Sequence, residues 1–188
     1  MITQKMKHGS RIYVFISVLL LTFYLPIKNS HAQRNSQPGE TYVKEMTADE
    51  RLLYGAEKRE IQHIKSALQN GADIDARDKW GQTALHKAID DVEIVSLLIT
   101  HGADVNAKNA AFGMTALYYA DCTVAQLLID AGADIDVRSQ NGNTPLMWHV
   151  YNENYDVANL LSKNGASSDA ENINGDTAAA IAQRFSGN

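Results

Sequence analysis

The segment TPLMWHVYNEN, residues 144–154, places Trp148, His149 and Tyr151 side by side, with Tyr155 just beyond. An imidazole among large aromatic rings could line a catalytic or ligand pocket, or could belong to an ordinary interior. Two carboxylate pairs, Asp73 with Asp75 and Asp134 with Asp136, have the types needed for acid–base work or for calcium. Cys122, the single cysteine, is the one thiol available as a nucleophile, but no activating base stands near it in sequence. His63 has no Cys or carboxylate at the ligand spacing of a zinc site. No H-E-x-x-H, P-loop, G-x-S-x-G or dinucleotide glycine pattern occurs. What these side chains can do depends on the elements that hold them.

A chain of 188 residues with an ordinary apolar and charged content fits one globular domain. Its first 32 residues stand apart: they carry Lys5, Lys7, Arg11 and Lys28, no acidic residue, and the apolar run Ile12 to Leu25. That run has 14 residues, whereas a membrane-spanning helix needs about 20. Pro26 follows, and Ser30-His31-Ala32 puts small residues at the positions before a signal-peptidase cut. Residues 1–32 therefore read as a cleavable signal peptide, with the mature chain starting at Gln33 and destined for the periplasm or secretion. The alternative is an uncut leader that tethers a structural envelope protein. A lipid anchor is disfavoured, because it needs a Cys just after the leader and the single Cys is Cys122. Residues 33–46, with Ser36, Pro38 and Gly39, read as a flexible linker.

Without the leader, 13 Lys and Arg face 22 Asp and Glu, so the net charge moves from −5 to near −9. That balance argues against nucleic acid as a partner. An exported protein with one cysteine has no internal disulfide, so packing must hold the fold, and Cys122 is expected to be a buried, small apolar residue.

Self-similarity organises the rest. Four segments end alike, LQNGADIDARD (68–78), ITHGADVNAKN (99–109), IDAGADIDVRS (129–139) and SKNGASSDAEN (162–172). Each is followed by a Gly and a Thr, in WGQTALHKA, FGMTALYYA, NGNTPLMWHV and NGDTAAAIA. The residues after each Thr have the apolar spacing of a short helix, and VEIVSLLI, TVAQLLI and YDVANLL that of a second one. Gly71, Gly102, Gly132 and Gly165 fall where left-handed helix ends are expected. Asp75, Asn106 and Asp136 fall in the following turn, where short polar side chains bond backbone.

These units resemble the ankyrin repeat, about 33 residues of β-turn and two helices with a T-P-L-H-x-A signature. The resemblance covers residues 49–188 and implies an all-α solenoid of stacked helix pairs joined by hairpins, with no cofactor or metal. The expected layout is an N-terminal cap (47–77), repeats 78–109, 110–139 and 140–172, and a half repeat (173–188), nine helices in all. TADE, residues 47–50, reads as a capping box. From Thr to the helix-ending Gly the third repeat has 21 residues, the first 19 and the second 17, so two repeats have lost loop between their helices. In the first, Asp90 is expected to cap the second helix, with Glu93 three residues later.

On this register the carboxylate pairs belong to the GADID turns, and the resemblance implies that His86, in the T-P-L-H position, bonds backbone of the adjoining turn, with His101 structural too. The sixth position of the first helix is small in Gly55, Ala88, Ala120 and Ala182 but is His149 in the third repeat. His149 is expected to be buried and hydrogen-bonded, with Trp148 turned to the concave groove and Tyr155 into the second-helix core.

The resemblance implies protein binding through hairpin tips and the concave face of the first helices. Those positions are Lys79, Trp80 and Gln82; Phe112, Met114 and Tyr119; and Gln140, Asn141, Asn143, Trp148, Tyr151 and Asn152. Trp and Tyr are enriched among residues that dominate interfaces. The expectation is a monomeric, non-enzymatic, exported binding module whose acidic balance suits a partner with a basic patch. Small exported bacterial proteins that it resembles include inhibitors or immunity factors for toxins and accessory partners of envelope enzymes. The alternative of another class is an enzyme or small-ligand carrier using the aromatic groove.

Overall fold

The computed structural model describes residues 45–186; the leader, its expected cut site and most of the linker lie outside them. The described elements pair in chain order: α1 (Ala48–Lys58) with α2 (Ile61–Gln69), α3 (Ala84–Lys87) with α4 (Val92–Thr100), a 3₁₀ turn (Ala116–Tyr118) with α5 (Cys122–Asp130), and α6 (Pro145–Tyr151) with α7 (Tyr155–Lys163). Helix α8 (Ala178–Ser186) follows. Among the described residues there are thus eight α-helices and one 3₁₀ turn, an all-α repeat solenoid in which the expected first helix of the second repeat has shrunk.

Loop length explains that difference. The cap and the third repeat turn between their helices through a left-handed residue, Arg59 (φ 58°) and Glu153 (φ 59°). In both, the next amide closes the loop, Glu60 N–H onto the Gly55 carbonyl and Asn154 N–H onto that of His149, each at 2.8 Å. The first repeat is tighter, with Asp91 N–H on the Ala88 carbonyl at 2.8 Å. In the second repeat Asp121 follows Ala120 directly and already caps α5, so no full helical turn fits before it.

The caps carry one correction. Thr47 and Glu50 form the expected capping box. At α4 the cap is Asp91, which accepts from Ile94 N–H at 3.1 Å, and not Asp90. Asp90 stands one residue too early to reach the first turn, and it pairs with Arg59 at 2.8 Å.

The core runs through every unit. Leu52, Leu85, Leu117 and Leu146 hold the same place in successive first elements, and Ala67, Leu98, Leu128 and Leu161 in successive second helices; all are buried in one cluster. Burying one such Leu contributes about 1.5–3 kcal/mol, and in a solenoid that burial comes from the neighbouring unit, so stability resides in stacking. Tyr155 is a second correction, 49% exposed rather than in this core. It is the first residue of α7, where the inward positions are taken by Val157, Ala158 and Leu161.

Polar ladders join the same units on the turn side. Asp49, Asp75, Asn106 and Asp136 each accept, through Oδ1, the backbone N–H of Asp73, Asp104, Asp134 and Ser167 in the next unit, at 2.7–2.9 Å. Asp73 and Asp134 instead bond their own turns, accepting from Asp75 N–H and Asp136 N–H. Each carboxylate of the two suspected pairs therefore has a structural bond. At the hairpin tips Ala110, Gln140 and Ile173 donate N–H to the carbonyls of Trp80, Phe112 and Asn141. Gly81 shows how close this approach is: its φ is +71°, and a Cβ there would lie 2.7 Å from Ala110 N.

Candidate partner-binding surface

His149 lies in the interior, 1% exposed. Its Nε2–H donates to the Leu117 carbonyl of the second repeat at 3.0 Å. The 3₁₀ turn ends with Tyr119 N–H on the Ala116 carbonyl, and among the described residues no backbone amide takes the Leu117 carbonyl. The shortened repeat thus leaves both a free acceptor and the space of a missing turn, and the imidazole fills them. Gly55, in the same position of the cap, is instead closed off by the second helix of its own unit, since a Cβ there would meet Ile64 Cγ1 at 2.9 Å. Burial pushes the His149 pKa down, opposed by the Leu117 bond. Its Nδ1 is buried with no hydrogen-bond partner among the described residues.

A second set of bonds seals the units along the first elements. His86 accepts at Nδ1 from Thr83 N–H (3.2 Å), which leaves Nε2–H to donate to the Met114 carbonyl of the next repeat at 3.1 Å. Burial is the main cause holding the His86 pKa below its ordinary value. Tyr118 occupies the matching position one repeat on, and its hydroxyl lies 2.6 Å from the carbonyls of Asn143 and Val137. Burial raises its pKa well above the ordinary tyrosine value, keeping it a neutral donor. In the third repeat the position is Met147, which cannot donate.

A groove of about 440 Å³ lies there. Met147, Trp148 and Tyr151 of α6 and Asn143 form one side, and Asn172, Asn174, Asp176, Ile181 and Arg184 the other. The Trp148 and Tyr151 rings stack at 6.4 Å with 25° between their planes. Tyr119 of the second repeat meets Trp148 edge-on at 6.3 Å. Across the groove Arg184 holds Asp176 through two hydrogen bonds, and Asn172 Nδ2–H donates to Asn143 Oδ1 at 2.8 Å.

The expected contact residues divide accordingly. Trp148, Tyr151 and Asn143 come together in the groove, with Tyr119 joined through Trp148. Phe112, 54% exposed, and Asn141 stand at hairpin tips. Gln140 is exposed and donates to the Ala110 carbonyl. Gln82 is partly buried and tied to Asp78 through its N–H. Trp80 is 38% exposed and carries the Nζ of Lys79 4.2 Å from its ring centre and that of Lys87 at 5.8 Å. Asn152 turns back to bond the Trp148 carbonyl at 2.8 Å.

Met114 is a correction: it is only 4% exposed, packed with Tyr118 and Val137, so its side chain belongs to a small satellite core. Cys122 is the opposite case. It is exposed at the first position of α5, where no core faces it, and burial together with Asp156 and Asp121 raises its pKa, so the thiol stays protonated. The half-repeat residues Asp176, Ile181 and Arg184 join the groove without having been expected there. Ile181 was legible in the sequence, as it holds the position of Trp148 one unit on.

Among the described residues no group of three or more His, Cys, Asp or Glu could hold a metal ion, and no helix is long and apolar enough to cross a membrane. Stacked helix pairs, hairpin tips bonded in series and a groove on the first helices define a repeat solenoid. A family model described as ankyrin repeats in three copies matches residues 52–139 and 121–188. The chain belongs to the ankyrin repeat family.

Similar proteins include an ankyrin repeat protein of fowlpox virus, 41% identical over 58 residues, which are 29% of this chain and 11% of that protein. An ankyrin repeat protein of Acanthamoeba polyphaga mimivirus is 27% identical over 113 residues, 57% of this chain and 15% of that one. One from Rickettsia bellii is 32% identical over 117 residues, 56% of this chain and 33% of that one. The chain therefore spans a third or less of the length of these relatives. Ankyrin repeats are protein-binding modules, and proteins built from them are generally not enzymes.

Proposed function

We propose that this chain binds another protein through the groove beside Trp148 and the neighbouring hairpin tips, as a monomer and without catalysing a reaction itself. The observation that carries this reading is the stacked pair Trp148 and Tyr151 lining a groove, with Tyr119 edge-on to Trp148, in a solenoid whose other buried polar groups largely hold repeats together. Large aromatic groups presented by a rigid scaffold lose little freedom on binding, which suits an interface. The role we favour is that of an exported inhibitor, immunity factor or accessory partner of a toxin or envelope enzyme. Its support is the basic, apolar leader of residues 1–32, followed by an acidic domain. The acidic balance speeds encounter with a partner that bears a basic patch.

Two measurements test the two halves. Sequencing the N-terminus of the exported protein should give Gln33; a protein that keeps Met1 to Ala32 and pellets with membranes would reject the export reading. A partner recovered from an envelope extract should be lost on Trp148→Ala with the fold intact by circular dichroism. Unchanged recovery would remove the groove from the interface.

A further inference from the structure

The two tryptophans of this chain have opposite surroundings. Trp80 already carries two lysines of its own chain over its ring. Trp148 has two aromatic neighbours, one stacked and one edge-on, and among the described residues no Lys or Arg lies over it. An indole face attracts a cation by its quadrupole, more strongly than any other side-chain ring, and the nearly parallel Tyr151 ring presents a face of the same sign beside it. The local charge has the matching sign. Between Arg138 and Lys163 the chain has no Lys or Arg, while Glu153 and Asp156 lie in the same repeat, and residues 45–186 carry 11 Lys and Arg against 21 Asp and Glu. The one cation lining the groove among the described residues, Arg184, is neutralised by its two bonds to Asp176.

We propose that the groove receives a cationic side chain of the partner, an arginine or lysine that lies on the Trp148 ring beside Tyr151. The arrangement at Trp80 is the internal example of the same contact, made there by the chain with itself. A planar guanidinium stacks better than an ammonium on such a face, so arginine is the preferred occupant. The inference rests on the protein-binding reading above and narrows it to a partner with an exposed basic residue.

The full chain, labelled with ¹⁵N, has two indole N–H resonances, since it has two tryptophans; Trp80→Phe assigns them. Titration with acetyl-Gly-Arg-Gly-amide should shift the Trp148 indole in a saturable manner, and the neutral citrulline peptide should need at least about fivefold higher concentration. The Trp80 indole should stay in place. Equal response to both peptides would overturn the cationic contact while leaving a protein-binding groove. No shift of Trp148, or an equal shift of both indoles from general attraction to an acidic protein, would overturn the proposal as well. The titrations are read on the unsubstituted protein, and the variant serves only to assign its two resonances.

Discussion

The second and third repeats lie side by side and solve the same packing problem in opposite ways. The second has four residues fewer between Thr and its helix-ending Gly, keeps only a 3₁₀ turn, and is held by side chains from both neighbours: His86 donates to its Met114 carbonyl and His149 to its Leu117 carbonyl. The third keeps its full loop and a seven-residue helix, but Met147 stands where a donor would close its far side, and the groove lies there. A repeat that is too short must be clamped, and a repeat that is complete can be left open. His149 and Trp148 are adjacent in sequence yet serve these two ends, one directed at the clamped side and the other at the open side.

The sharpest way to break the comparison is to remove the clamp. His149→Ala deletes a buried ring, leaves a cavity and strips the Leu117 carbonyl of its donor, and should cost about 2–4 kcal/mol in urea unfolding. A loss below about 1 kcal/mol would mean that the second repeat holds itself.

Acid should loosen the same repeat. The pKa of His149 and of His86 is lowered in the folded state below 6.5, mainly by burial, so the unfolded chain binds more protons as pH falls. Their contribution is complete above about pH 6.5 and is lost progressively as pH drops toward the folded values. The charged groups of the elements around His149 do not offset this. Asp121 is committed to capping α5, Asp176 is bonded to Arg184, and Asp156 and Lys163 are exposed. Thermal melts should therefore move down between about pH 7 and pH 5. His149→Gln, which can keep an N–H donor without titrating, should flatten that slope in part, and an unchanged slope would exonerate His149.

On the open side the effects on stability shrink. Trp148→Ala should reduce partner binding far more than stability, since the ring is only partly buried. Cys122→Ser, at an exposed position, should change stability by less than about 0.5 kcal/mol by the same urea assay.

Much of this is legible in the sequence because the repeat counts itself. Recurrent GAD turns and Thr-x-Leu starts locate the repeats, and the glycines at 71, 102, 132 and 165 do have positive φ. The anomaly at His149 is visible as a single large residue in a column of small ones, and its burial follows from that. What it bonds is not visible there, since this requires placing the 17-residue spacing of the second repeat beside the His of the third. Met114 and Cys122 depart from expectation for a related reason. In both cases the neighbours rather than the residue type decide burial: Met114 is covered by Tyr118 and Val137, and Cys122 opens α5 at an exposed position. The groove is half legible: α6 supplies Trp148 and Tyr151, but its opposite wall comes from the half repeat, whose signature in sequence is weak.

The matching of the two repeats can be measured directly by a double-mutant cycle. Inserting about four residues between Ala120 and Asp121 would give the second repeat the loop length of the third, in the wild-type chain and in the His149→Ala variant. If His149 occupies the room and the carbonyl of the missing turn, the insertion should be costly in the wild-type chain and much milder in the His149→Ala variant, a coupling above about 1 kcal/mol. Effects that add within about 0.5 kcal/mol would contradict the account, since the short repeat and its histidine would then be independent.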